Sequence, residues 1–126
     1  MKELTKAEEQ VMQVLWDIER GVVADVIERL PDPKPAYNTI STIVRILEKK
    51  QMVGHEADGR SHIYYPLISK KQYAKNFLRR MVKGYFADSY REMVSFFSRN
   101  ENLDIEEMEQ MMKILQTEIE NRKTKK

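Results

Sequence analysis

The sequence predicts a mainly α-helical chain carrying one small β-hairpin. Three observations predict it: helical apolar periodicity in the segments before residue 50, a turn between two aromatic and β-branched stretches around residue 59, and renewed helical periodicity from residue 70 onward.

Thr5-Lys6-Ala7-Glu8 has the form of a capping box, in which the Thr and Glu side chains satisfy orphan N–H groups and so start a helix. Leu4, Ala7, Val11, Val14, Leu15 and Ile18 follow at helical spacing and end near Gly21. Val22-Val23 is expected to form a very short strand. A second, shorter helix then buries Val23, Val26, Ile27 and Leu30. Pro31, Pro33 and Pro35 must end it, because proline lacks the backbone donor and clashes with the preceding turn. A third helix runs from Ala36 to about Lys50, with Ile40, Ile43, Val44 and Leu47 on one face. Next, Val53–Ala57 and Ser61–Tyr65 flank Asp58-Gly59-Arg60 as the arms of a hairpin, and Pro66 closes the second arm. Three helices and a hairpin in this order make a winged helix-turn-helix head.

Beyond the hairpin the pattern is helical again. Tyr73, Phe77, Met81, Tyr85 and Phe86 form a stripe that continues through Met93, Phe96 and Phe97, with Gly84 weakening its middle. Residues 100–103 break the pattern. Asp104 caps a last helix, and Ile105, Met108, Met112, Leu115 and Ile119 repeat at steps of 3, 4, 3 and 4, a coiled-coil seam of about two heptads. The expected organisation is a winged-helix head over 1–69 and C-terminal dimerisation helices over 70–126. Phe77, Met81, Tyr85, Met108, Met112, Leu115 and Ile119 are the expected homodimer contacts.

Composition narrows the function classes. With 126 residues, 41% apolar and 33% charged, the chain reads as an ordinary soluble protein. So small a head buries a modest core, which dimerisation can complete. The absence of cysteine excludes disulfides, iron–sulfur clusters, cysteine-zinc sites and thiol catalysis, and it suits the cytoplasm. No apolar run approaches membrane-spanning length, and the charged start MKELTKAEEQ is unlike a signal peptide, so no direct membrane binding is expected. The net charge is only +2, but it is unevenly distributed. Lys70, Lys71, Lys75, Arg79, Arg80, Lys83 and Arg91 face one acid, Asp88, in their stretch. The segment from Glu101 to Glu120 is acidic apart from Lys113, and Arg122, Lys123, Lys125 and Lys126 end the chain. Such runs bind phosphate, pair in an oligomer, or simply stay solvated.

The third helix carries the functional signal. In a helix-turn-helix the second helix of the motif enters the major groove and presents polar side chains to bases and phosphates. With Ile40, Ile43, Val44 and Leu47 turned inward, Asn38, Ser41, Thr42, Arg45 and Lys49 project from the opposite face. Asn pairs with adenine, Arg with guanine or phosphate, and the Thr methyl meets a thymine methyl. An ordinary solvated helix face has the same composition; the flanking proline turn and hairpin favour the DNA-reading helix. At the wing tip, Arg60 reaches toward phosphate or the minor groove, with Asp58 opposing it. His55 and His62, without cysteine, make a poor metal site, so no metal or cofactor is expected. Ile63, Tyr64 and Tyr65 are assigned to hairpin packing.

The segments LTKAEEQVMQVLW (4–16), NTISTIVRILEKKQMV (38–53) and DGRSHIYYPLIS (58–69) resemble the BlaI/MecI/CopY penicillinase-repressor family, and the resemblance covers nearly the whole chain. MarR-like and PadR-like winged helices share the general pattern but match the first segment less well. The resemblance implies a homodimeric repressor on a palindromic operator, with Asn38, Thr39, Ser41 and Thr42 making base and backbone contacts by position. Arg45 falls where relatives have a small polar residue and is added on geometry. Ser41 and Ile46 stand where relatives often carry arginine, and Gln51 stands where they have glycine. The resemblance also implies relief by proteolysis in response to β-lactams, through a membrane-bound zinc protease. The cleaved bond maps onto Phe96-Phe97, where penicillinase-type relatives have Asn-Phe. Copper-responsive relatives use a C-terminal cysteine cluster, which this chain lacks.

Two other function classes compete. A winged helix can serve as a protein–protein interaction module without sequence-specific DNA binding, and its weak salt dependence would tell it apart. Enzyme chemistry finds no support: glycines at 21, 54, 59 and 84 form no phosphate-cradling loop, and no nucleophile has a nearby histidine by motif. Met81, Met93, Met108, Met111 and Met112 suit an adaptable core or interface better than a ligand site.

Overall fold

The computed structural model describes residues 3–100 and 102–125. Met1, Lys2, Glu101 and Lys126, which enter the charge runs and the break read above, lie outside the described residues. The element order is α1 (Lys6–Ile18), α2 (Val23–Arg29), α3 (Tyr37–Lys49), β1 (Val53–Asp58), β2 (Ser61–Pro66), α4 (Lys70–Tyr85), α5 (Tyr90–Asn100) and α6 (Ile105–Thr124). This is a winged helix followed by further helices. Contacts divide the chain into two compact units, Met1–Leu78 and Arg79–Lys126.

In the first unit the expected capping box forms: Glu8 N–H donates to Thr5 Oγ1 and Thr5 N–H to Glu8 Oε1, both at 3.1 Å. Helix α1 buries Val11, Met12 and Leu15 against Val23, Val26 and Leu30 of α2 and Ile40, Val44 and Leu47 of α3. Met52, Val53, Tyr64 and Tyr73 close this core. The expected Val22-Val23 strand does not form. Gly21 alone bridges Tyr64, while Val22 turns over as the N-cap of α2 with its N–H on Asp25 Oδ2 at 3.0 Å. A Cβ at Gly21 would stand 2.8 Å from Ile18 Cδ1, so this close approach suits glycine. After the proline stop, Lys34 folds back and its Nζ caps α2 by donating to the Glu28 and Leu30 carbonyls at 2.8 and 2.6 Å.

Helix α3 ends in a Schellman turn. Met52 N–H returns to the Leu47 carbonyl and Gln51 N–H to that of Glu48, with Gln51 in the left-handed region at φ 63°. The wing is a two-residue hairpin: Asp58 pairs with Ser61, and Gly59 takes the positive φ of 63° that the turn needs.

The sequence places a domain boundary at 69/70; helix α4 begins at Lys70, with Ser69 Oγ accepting from Gln72 N–H at 3.0 Å. The unit division falls later because the first turns of α4 belong to the head. Tyr73 is buried against Trp16, with ring centroids 5.5 Å apart, and Trp16 Nε1 donates to the Ile68 carbonyl at 2.9 Å.

In the second unit, the stripe read as running from Tyr73 to Phe97 is cut. Ala87 and Asp88 both adopt positive φ, and Asp88 N–H returns to the Val82 carbonyl at 3.1 Å. Ser89 then caps α5 by accepting from Glu92 N–H at 3.1 Å. Asp104 caps α6 as expected, accepting from Glu107 N–H at 2.8 Å.

Candidate nucleic-acid interface

The outward face of α3 follows from which side of it meets the core. Ile40, Val44 and Leu47 are buried and Ile43 is half-buried, which leaves Asn38, Thr39, Thr42, Arg45 and Lys49 exposed and Ser41 half-buried. The wing extends from the C-terminal end of the same helix. Between helix and wing lies an open concavity of about 350 Å³, lined by Ser41 and Arg45 from α3, Arg60, Ser61, His62 and Tyr64 from the wing, and Tyr37 at the helix start. Three sequence-predicted residues, Ser41, Arg45 and Arg60, therefore share one site. Thr39 lies elsewhere, in a groove beside the proline loop with Pro31, Pro33 and Pro35.

The electrostatics are biased toward anions. Arg45 and Arg60 bring two permanent charges to the concavity. The nearest acid on the helix, Glu48, is engaged by His55 Nδ1. Lys50 is turned away, with its Nζ 2.5 Å from Glu8 Oε1. Burial pushes the pKa of Tyr64 up and the Glu48 charge adds to this, while Arg45, by its charge and a hydrogen bond to the phenol oxygen, works against it, so the phenol stays neutral. Among the described residues, no group of three metal-ligating side chains is arranged to hold a metal ion.

Two features of the site escaped the sequence. Tyr37, 60% exposed, lines the concavity, and a lone aromatic at the start of a helix carries no signal until the wing is placed. Similarly, the contact between Glu48 and His55 joins residues seven apart on different elements, a spacing no periodicity marks.

The expected dimer positions divide by exposure. Tyr85 is 83% exposed, and Phe77, Met112, Leu115 and Ile119 are also exposed; Met81 and Met108 are half-buried. Met81 and Tyr85 line an apolar groove of about 610 Å³ with Phe86, Phe96 and Arg99. The Phe96-Phe97 bond lies inside α5, and the Phe96 carbonyl accepts from Asn100 Nδ2 at 2.7 Å. No described helix is long and apolar enough to cross a membrane.

The profile of the penicillinase repressor family matches residues 4–117. The chain belongs to that family. It is 29% identical over 122 residues to a penicillinase repressor of Bacillus licheniformis, covering 96% of this chain and 94% of the relative. Its fold is similar to the solution structure of the DNA-binding domain of the repressor BlaI, with TM-score 0.50 and 31% identity over 58% of this chain and 94% of that one. Family membership gives the departures in α3 their meaning. Ser41 and Ile46 leave a face in which Arg45 is the arginine, and it points into the concavity beside the wing. Gln51, in place of the expected glycine, nonetheless takes the glycine-like conformation.

Proposed function

We propose that the chain is a DNA-binding transcriptional repressor that acts as a homodimer on a palindromic operator. The observation that carries this reading is the convergence of Ser41 and Arg45 with Arg60 on one concavity, beside the exposed Asn38, Thr42 and Lys49. A phosphate seated between the two arginines would fix the register of α3 in the major groove, and Asn38 and Thr42 would then read bases. Family membership and the likeness to the BlaI DNA-binding domain support it. In this reading residues 1–69 bind DNA and 70–126 dimerise. The exposed apolar positions Tyr85, Met112, Leu115 and Ile119 of the C-terminal helices supply the contact, and two-fold symmetry sets the spacing of the half-sites. Cleavage at Phe96-Phe97 by a membrane-bound sensor protease would relieve repression by removing α6.

Selection of bound sequences from a random duplex library, at low and moderate salt, tests the proposal. Enrichment of one palindrome is the expected result. Sequence-indifferent binding that vanishes with salt would overturn it in favour of a protein–protein interaction module.

A further inference from the structure

Helix α3 and the wing are joined by a side-chain cluster that borders the concavity through His62 and Tyr64. Glu48 Oε2 contacts His55 Nδ1, and both side chains are about two-thirds buried, with exposures of 34% and 33%. The His62 ring stacks on His55, with centroids 4.3 Å apart and planes at 12°. Tyr64 meets the two rings at 5.8 and 6.2 Å. The hairpin register produces this arrangement. His55 stands opposite Tyr64 and Ala57 opposite His62, so the three rings share one face of the ribbon. Glu56 points to the other face, where it pairs with Arg20 at 2.9 Å.

We infer that Glu48 and His55 are positioning residues, whose contact holds the wing against α3 and tightens when the imidazole is protonated. The inference rests on the DNA-reading role proposed above, because the position it sets is that of Arg60 relative to Arg45. The contact is a bond between a carboxylate and an imidazole. With a protonated ring it becomes charge-assisted and stronger, and histidine is the side chain whose charge changes around neutral pH. The charged and titratable groups facing His55 are Glu48 from α3 and His62 and Tyr64 from β2, and Arg45 of α3 acts on Tyr64. Arg20, from the α1–α2 junction, is engaged on the opposite face. A wing held against α3 keeps Arg60 beside Arg45 at the concavity where a phosphate would sit.

Amide hydrogen exchange at the β1–β2 ladder of the DNA-free full-length protein tests this at pH 6 and pH 8, after correction for the intrinsic pH dependence. Protection in the wild type should be about threefold greater at pH 6, the size of one partly exposed charge-assisted contact. Glu48→Gln should show the lower protection at both pH values, and His55→Lys, a permanent cation, should keep the higher protection at pH 8. A flat wild-type profile, or a pH dependence that survives in Glu48→Gln, would overturn the inference. So would a selected duplex whose affinity, at constant ionic strength, ignored pH while the wing responded. Should no duplex bind at any pH, the DNA-reading role falls, and the exchange profile still decides whether the clamp exists. Thermal unfolding of each variant confirms that the folded protein is being compared.

Discussion

Lys50 Nζ lies 2.5 Å from Glu8 Oε1, tying the end of α3 to the first turn of α1. The same amine donates to the Glu3 carbonyl at 3.0 Å, and the same carboxylate closes the capping box with Thr5. Burial works to raise the Glu8 pKa, but the hydrogen bonds from Lys50 and Thr5 and the Lys50 charge outweigh it, and the net displacement is downward. A carboxyl whose pKa is lower folded than unfolded contributes its stability fully above the ordinary carboxylate range, and loses it as pH falls through the folded value. Glu8→Gln should therefore cost about 2 kcal/mol at pH 7, and the difference from wild type should shrink below about pH 4. Lys50→Met should cost more, about 3 kcal/mol at pH 7, because it leaves a buried carboxylate unpaired. Urea denaturation at the two pH values reads both; an unchanged Glu8→Gln difference at low pH would contradict the assignment.

Gln51 holds a left-handed conformation that favours glycine. Gln51→Gly should stabilise the head by about 1 kcal/mol, because removing the Cβ relieves the left-handed penalty by more than the added freedom of the unfolded chain costs. Gln51→Val should destabilise it. Urea midpoints at constant slope decide the sign.

On the DNA face, Arg60→Ala should weaken binding to all sequences alike and lower the salt slope by about one unit, as the loss of one phosphate contact does. Asn38→Ala should instead cost about 1–3 kcal/mol on the selected operator, relax one base position, and leave the melting temperature unchanged. Titrations at several salt concentrations separate the two patterns.

Leu115 is 58% exposed on α6. If it lies at the dimer contact, Leu115→Glu should shift sedimentation from dimer to monomer and weaken operator affinity at least tenfold, with the thermal transition of the head retained. A dimer that survives the charge would place the contact elsewhere.

The Phe96-Phe97 bond is held in a helix, whereas proteases cut extended backbone, so α5 must open locally before it can be cleaved. Ser89→Ala removes the α5 cap, worth about 1 kcal/mol, and should speed cleavage about fivefold. Limited digestion with a protease that cuts after phenylalanine, followed by mass spectrometry of the fragments, measures it. An unchanged rate would mean that opening does not depend on the N-terminus of α5.

The parts of the fold legible in the sequence are those with local causes. Thr5 and Asp104 announce helix starts because their side chains bond backbone only three residues away. The prolines after Leu30 and the Gly59 turn act through their own backbone angles. The break at 86–89 is hidden because Ala87 does not ordinarily mark a left-handed turn, and Asp88, which tolerates one, stands alone within an apolar stripe. Ser89-Tyr-Arg-Glu92 did carry the Ser-x-x-Glu form of a cap, but the aromatic stripe running through it suggested continuity. Within the candidate site, the outward face of α3 could be read from periodicity. The wing's approach to Tyr37 and the seating of His55 on Glu48 depend on how a hairpin docks, which no single segment encodes.

Trp16 is the chain's one tryptophan, and its indole N–H is bonded to the Ile68 carbonyl while its ring packs on Tyr73. The protein thus carries a built-in fluorophore at the seam where the first turns of α4 are fastened to the head. Peeling those turns away would expose the indole to water and shift its emission to the red. That optical signal would separate loosening of this seam from loss of the C-terminal helices, without any label being attached.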